Sequence, residues 1–370
     1  MGCASIIKLF ESITEENRGK FSVPVDLIRV TAIFLVIFLH VTNTFHNQIY
    51  EAVLNGTFSW TFTIYKSLAL PCVPLFVMLT GSLLLQPSKI NEPIKVFLKK
   101  RVKRIGLAFL FWTAVYLVWS FYITQTPFTF VNILEGTFYS LFSGSYYHFW
   151  YLYLIAGLYL ITPLLRASVA FKDPKLIKYL ILVWFIGISL VPLLPVFTNY
   201  SFPGGLFIMG GYTGYFLLGH YLQNVRLRRK YMYAFIVLGL IFTVASTWVM
   251  SVPLEPLKEY YVFFDYLAVN VVVMSIGLYT FLSSFSADWP GKNHPRAKKI
   301  VRVISKNTLP IFLFHIIILE TLHRGLLGFY LDLTIFPLLE VPLASIFILL
   351  VTLGLVLIMK RVPILKKLIG

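Results

Sequence analysis

Arg29 and His40 are the residues of this chain best placed to do chemistry. They lie eleven residues apart in one apolar stretch, Asp26 to Thr44, reading DLIRVTAIFLVIFLHVTNT. On an α-helix that spacing is about three turns plus 20°, with a rise of roughly 16 Å, so both side chains share a face. Asp26, three residues before Arg29, shares it too. A guanidinium holds an oxyanion through a planar fork of N–H donors, and an imidazole accepts a proton near neutrality. The stretch is long enough to cross a bilayer, which takes roughly twenty apolar residues. Ionisable groups at that depth are costly and mark functional sites. The stripe Asp26, Arg29, His40 is therefore read as the floor of an active site.

The elements that position this stripe belong to a membrane protein. The chain has 370 residues, 58% of them hydrophobic and 13% charged, with a mean hydropathy of +0.80. A soluble domain carries about 25% charged residues. Ten spans are expected, near 25–46, 63–85, 104–124, 149–165, 177–195, 206–224, 231–251, 262–284, 305–323 and 339–359. The net charge of +17 does not indicate a nucleic-acid partner, because all but four of the 32 Lys and Arg fall in the N-terminal tail, in alternate connections and in the C-terminal segment. That asymmetry places both termini in the cytoplasm. The expected fold is an all-α polytopic membrane protein of about ten transmembrane helices. Its parts are a tail over 1–24, one membrane domain over 25–360 and a basic cytoplasmic tail over 361–370. Ile6, Ile7, Leu9, Phe10 and Ile13 give the first tail the pattern of a short interfacial helix.

Further candidates lie along the spans. Pro71 and Pro74 should kink the second span, which is tolerated where a helix lines a cavity. Five basic residues within Lys99–Arg104 lead into the third span. They serve as an anchor to anionic headgroups and, through Arg101 and Arg104, as a phosphate-collecting surface at the inner mouth of the site. His148 and Trp150 are candidates for an outer vestibule that receives an acceptor, with the indole face stacking on a sugar ring. His315, ten residues past Ser305, should reach a depth similar to His40 and share a polar cavity with it. Glu320, His323 and Arg324 are expected to pair with one another. Nothing in the pattern suggests a metal ligand set.

These segments, taken in order, resemble the acyltransferase-3 family of integral membrane acyltransferases. Within it they resemble the surface-polysaccharide O-acetyltransferases of the enterobacterial common antigen type. Arg29 and His40 match the family's Arg-x10-His signature, with Asp26 in its usual place. PLFVMLTGSLLL, Pro74 to Leu85, is similar to the second-span segment, with Thr80 where Ser is commoner. LKKRVKRI is similar to the basic entry to the third span. HFWYLYLIAGLYLITPLL, GYFLLGHYL and SKNTLPIFLFH are similar to the later motifs.

The resemblance implies transfer of an acyl group, commonly acetyl, from cytoplasmic acyl-coenzyme A to a hydroxyl of a lipid-linked or cell-surface glycan, at the membrane of a prokaryotic cell. The implied partners are acyl-CoA as co-substrate, the glycan acceptor and membrane lipids, with no permanently bound cofactor and no nucleic acid. On this reading Arg29, Arg101 and Arg104 hold CoA phosphates and Asp26 holds Arg29 in place. His40 is the general base, and His315 orients it or donates to the thioester oxyanion; a covalent acyl-His intermediate is the alternative route to direct transfer. The rival reading is a transporter or flippase of glycan precursors, since kinked spans and buried polar groups serve those as well.

Overall fold

The protein is described here by a computed structural model covering residues 14–16, 24–49, 59–171, 173–193, 211–223, 225–251, 260–286, 289–291 and 293–370. The interfacial helix expected over residues 6–13 lies outside the described residues.

The central element is α1 (Val25–Gln48), whose first turn carries Asp26, where a carboxylate complements the helix dipole. It buries Ile28, Ala32, Ile33, Val36, Ile37 and Val41. α2 (Trp60–Ala69) and α3 (Cys72–Leu84) together make one span, interrupted at Leu70 and Pro71. Pro71 offers no N–H to the preceding turn and its ring crowds the carbonyl behind it, so the helix breaks there, while Pro74 lies within α3. α4 (Ile94–Thr124) follows a tight connection and ends at Gln125 in the left-handed region, φ 55°. α5 (Phe130–Tyr139) is a short helix with no buried residue, leading to α6 (Trp150–Ala170). Next come α7 (Pro174–Phe185), α8 (Thr213–Leu222), α9 (Arg229–Ser251) and α10 (Val269–Ser283).

α11 (Pro295–Lys306) and α12 (Thr308–His323) meet at Asn307 with a bend of 77°. α11 is a basic amphipathic helix, PRAKKIVRVISK, with its charges on one side, a pattern suited to the membrane surface. The hydrophobic segment proper is therefore α12, and the expected start at Ser305 falls on α11 instead. α13 (Pro337–Met359) is the last long helix and α14 (Pro363–Leu368) follows it. A three-residue strand pair joins β1 (Thr14–Glu16) to β2 (Val225–Leu227), antiparallel, with Glu15 opposite Arg226.

Among the described residues eight helical segments are long and apolar enough to cross a membrane, or nine with the bent pair counted. Of the sixth expected span, 206–224, only Thr213–Leu222 is described as helix. The segment 361–370, expected as a tail, folds back instead. Ile369 is buried, and its carbonyl accepts from the Trp112 indole N–H at 3.3 Å. The apolar residues Leu365, Leu368 and Ile369, on either side of Lys366 and Lys367, supply the reason.

Burial sorts the helices by place. The Trp60–Leu84 window is 78% buried, whereas that of Ile94–Thr124 is 28% buried, its Leu107, Leu110 and Val118 facing outward as lipid-exposed side chains do. α1 packs against α2, α3, α11, α12 and α13. α8 closes on α3 through two glycines: a Cβ on Gly81 would collide with the Phe216 backbone, and one on Gly219 with that of Met78. Small residues at such crossings let backbones approach closely in a membrane.

Candidate active site

Where α1, α3, α4, α6 and α12 converge, a cavity of about 260 Å³ opens at the end of α1 that carries Arg29. Its cationic wall is Arg29, Lys89, Arg101 and Arg104. The polar side chains Thr80, Tyr159 and Thr308 also face it. Phe76, Tyr151 and Phe312 lie furthest along their helices toward the His40 end and close the cavity there.

The cations are held in different ways. Between described residues, ion pairs are formed only by Glu92, with Lys100 at 2.9 Å and Arg166 at 3.2 Å. Arg166 is buried, donates from Nε to the Leu84 carbonyl at 2.9 Å and lies over the Phe97 ring at 4.4 Å. It is a structural cation. Arg101 stacks on Phe97 at 5.3 Å and on Tyr159 at 5.6 Å, and its buried Nε has no hydrogen-bond partner among the described residues. Arg29 and Arg104 have no ion-pair partner among the described residues either. In the connection after α3, burial together with the nearby Arg101 and Arg166 charges holds the Lys89 ammonium below its usual pKa. An anion seated among these groups would reverse that penalty, since an opposite charge favours the charged form.

Beyond the aromatic end of the cavity lie three imidazoles. The His40 and His315 ring centroids are 5.2 Å apart, and those of His148 and His315 are 5.8 Å apart. His315 and His148 are closed off from solvent, while His40 keeps some accessible surface. The His315 Nδ1 lies 2.7 Å from the Phe312 carbonyl and 3.2 Å from that of Ile311. A carbonyl only accepts, so Nδ1 carries the hydrogen, and the neutral ring has its lone pair at Nε2. That Nε2 is buried with no partner among the described residues. Both ring nitrogens of His148 are in the same condition.

Aromatic rings line the rest of the cluster. Tyr116 is fully buried, donates to the Leu313 carbonyl at 2.8 Å and has its ring 5.1 Å from His148. The Tyr147 ring lies 5.3 Å from that of His40, tilted by 56°, and is 55% exposed, so it stands between that imidazole and the outside. Glu320 accepts from the Trp119 indole at 2.8 Å and from the Tyr146 hydroxyl. Among the described residues no group of three or more His, Cys, Asp or Glu is arranged to hold a metal ion.

The structure brings together most of the residues singled out from sequence, with four corrections. Arg29, Arg101 and Arg104 share one cavity, and His40 adjoins His315. Asp26 forms no ion pair with Arg29. It accepts from the Ser305 hydroxyl at 2.6 Å and ties α1 to α11, because the bend at Asn307 carries Ser305 over the start of α1. His148 lines no open vestibule: the chain after the π-helical turn Ser140–Gly144 turns it inward against His315. Trp150 is separate from it, half-exposed between the rings of Tyr212 at 5.8 Å and Tyr266 at 5.6 Å. Glu320 is taken up by Trp119 and Tyr146 rather than by His323 or Arg324.

Lys89, Tyr151, Tyr159 and Phe312 line the cavity, and Tyr147 covers His40, yet none was selected from sequence. Tyr151, Ile155 and Tyr159 recur at four-residue steps, a helical signal that an interfacial aromatic belt also produces. The sequence model of the acyltransferase-3 family, described as an acyltransferase domain, matches residues 24–360. No curated protein and no solved structure matches the chain.

Proposed function

Because the chain belongs to the acyltransferase-3 family and is thus a membrane acyltransferase, we propose that it moves an acyl group, acetyl in the first instance, from cytoplasmic acyl-CoA to a hydroxyl of a lipid-linked or cell-surface glycan. The observation that carries this reading is the pairing of a cationic cavity at Arg29 with an imidazole pair further along the same helix. Family membership sets the transport reading aside.

The CoA phosphates would rest among Arg29, Lys89, Arg101 and Arg104, where guanidinium forks match phosphate geometry. The arm carrying the thioester would then run along α1 toward His40, about 16 Å away by helical rise. The excess of Lys and Arg at one end of the spans supports a cytoplasmic site for the phosphates and for both termini. The acceptor would come from the opposite side, past Tyr147. This exposed ring beside His40 replaces Trp150 as the better candidate for contact with a sugar.

His40 takes the proton of the acceptor hydroxyl as its oxygen attacks the thioester carbonyl carbon. The C–S bond breaks, an ester C–O bond forms, and the proton passes from His40 to the departing CoA sulfur, which leaves as the thiol. Neutral His315 accepts at Nε2, so it suits a positioning role beside His40 better than donation to an oxyanion. General-base help of this kind contributes about 10²–10⁴-fold, and holding both substrates in register adds to it.

Mass spectrometry of surface glycans and lipid-linked intermediates, from cells with the wild-type chain, with His40→Ala and without the chain, tests the reading. Acylated glycan present only with the wild type is the expected result. Acylation persisting in His40→Ala would defeat the assignment of the base.

A further inference from the structure

The cavity and the imidazoles do not meet. None of the three histidines lines the cavity, and its wall ends on the rings of Phe76, Tyr151 and Phe312. These rings touch one another and the cluster beyond. Phe76 and Tyr151 have centroids 6.0 Å apart, and Tyr151 and Phe312 are 5.2 Å apart. On its far side the Phe312 ring is 5.4 Å from His148 and 6.1 Å from His315. A single aromatic layer therefore stands between the cationic cavity and the imidazole cluster.

Phe312 is fixed in that layer by two attachments. The residue is buried, and its carbonyl accepts the Nδ1 hydrogen of His315. The residue that narrows the passage thus also orients an imidazole behind it. Past the layer the rings of Tyr116, Tyr147 and Phe149 pack around the histidines.

We infer that Phe312, with Tyr151 and Phe76, forms a constriction that admits the thioester with a short acyl group and rejects longer chains. This rests on the reading of the cavity as the CoA site. With the phosphates at Arg29 and the thioester directed toward His40, the acyl end of the donor must enter this layer. The rings are in contact, so the layer yields least for a methyl group, and each added methylene must displace more ring atoms. Selectivity is therefore steepest over the first few carbons. One or two methylenes in a rigid apolar slot discriminate by about tenfold or more.

The test uses the purified full-length chain in lipid nanodiscs and measures displacement of radiolabelled CoA by acetyl-CoA and by butyryl-CoA. For wild type, butyryl-CoA should bind about tenfold or more weakly than acetyl-CoA. Phe312→Ala should bring the ratio of the two affinities close to one. Phe312→Leu, which keeps most of the buried volume, and Phe76→Leu on the opposite wall should give intermediate ratios; they carry the test if the alanine variant fails to fold. A wild-type ratio near one, or a ratio unchanged in every folded variant, would overturn the constriction. Failure of plain CoA to bind wild type at all would overturn the donor reading itself, a different outcome from a flat ratio with CoA bound.

Discussion

The cationic mouth and the imidazole cluster are built largely on the same helices, yet they treat polar groups in opposite ways. At the mouth, Arg29, Arg101 and Arg104 face a cavity without ion-pair partners among the described residues, while Glu92 neutralises Arg166 and Lys100 beside them. Charge is left over there, as a site for an anionic ligand requires. In the cluster, His148, His315 and Tyr116 are shut away from water among rings, and three imidazole nitrogens lack partners among the described residues. A buried polar group without a partner costs stability, and such costs persist where a reactant completes the hydrogen bond. The mouth is organised for recognition and the cluster for proton transfer, with one aromatic layer between them.

The sharpest way to break this division is at His40. His40→Ala should lower acyl transfer in membranes by about 10²–10⁴-fold with unchanged protein level. A loss smaller than tenfold would move the base elsewhere, His315 being the nearest alternative. Arg29→Ala should act at the other end, weakening CoA binding about tenfold to a hundredfold, the range for a lost charge-assisted hydrogen bond. Arg29→Lys should recover only part of that, because an ammonium lacks the planar fork. If Arg29→Ala instead left the affinity intact and abolished turnover, the two regions would have exchanged roles.

Ionic strength separates them more gently. Raising salt from about 0.05 M to 0.5 M should weaken CoA binding several-fold through the exposed part of the mouth. Turnover at saturating donor should change little, since His148 and His315 are shut away from solvent.

The smallest effect concerns Glu92. Hydrogen bonds from Lys100 and from Arg166 hold its carboxylate below the usual range. A depressed folded-state pKa stabilises above the unfolded value and fades as pH falls through the folded one. Glu92→Gln should therefore lower thermal stability near pH 7, with the gap to wild type closing as pH drops below 4.5, the ordinary value for this group. A gap independent of pH would mean that Glu92 acts by packing alone.

Much of the mouth was legible because a helix fixes which residues share a face. Arg29 and His40 could be set on one stripe from their spacing, and His315 does adjoin His40, although the count that matched them in depth began at Ser305, on α11. Asp26 was misread because the i, i+3 neighbour is only the local choice. The 77° bend at Asn307 brings a distant hydroxyl nearer, and nothing in a hydropathy profile marks that bend. His148 and Trp150 were read as a pair because they are neighbours in sequence. The turn before α6 points one inward against His315 and leaves the other among Tyr212 and Tyr266. Phe312 was hidden for another reason: in an apolar span a phenylalanine carries no signal until its neighbours are known. The return of residues 361–370 to α4 depends on Trp112, some 250 residues earlier, and pattern alone does not pair such segments.

Equilibrium binding of CoA to purified His40→Ala protein, beside wild type and Arg29→Ala, tests the division of labour most directly. Separate regions predict that His40→Ala binds CoA within about twofold of wild type, as independent sites do, while Arg29→Ala binds at least about tenfold more weakly. Loss of affinity in His40→Ala equal to that in Arg29→Ala would contradict it.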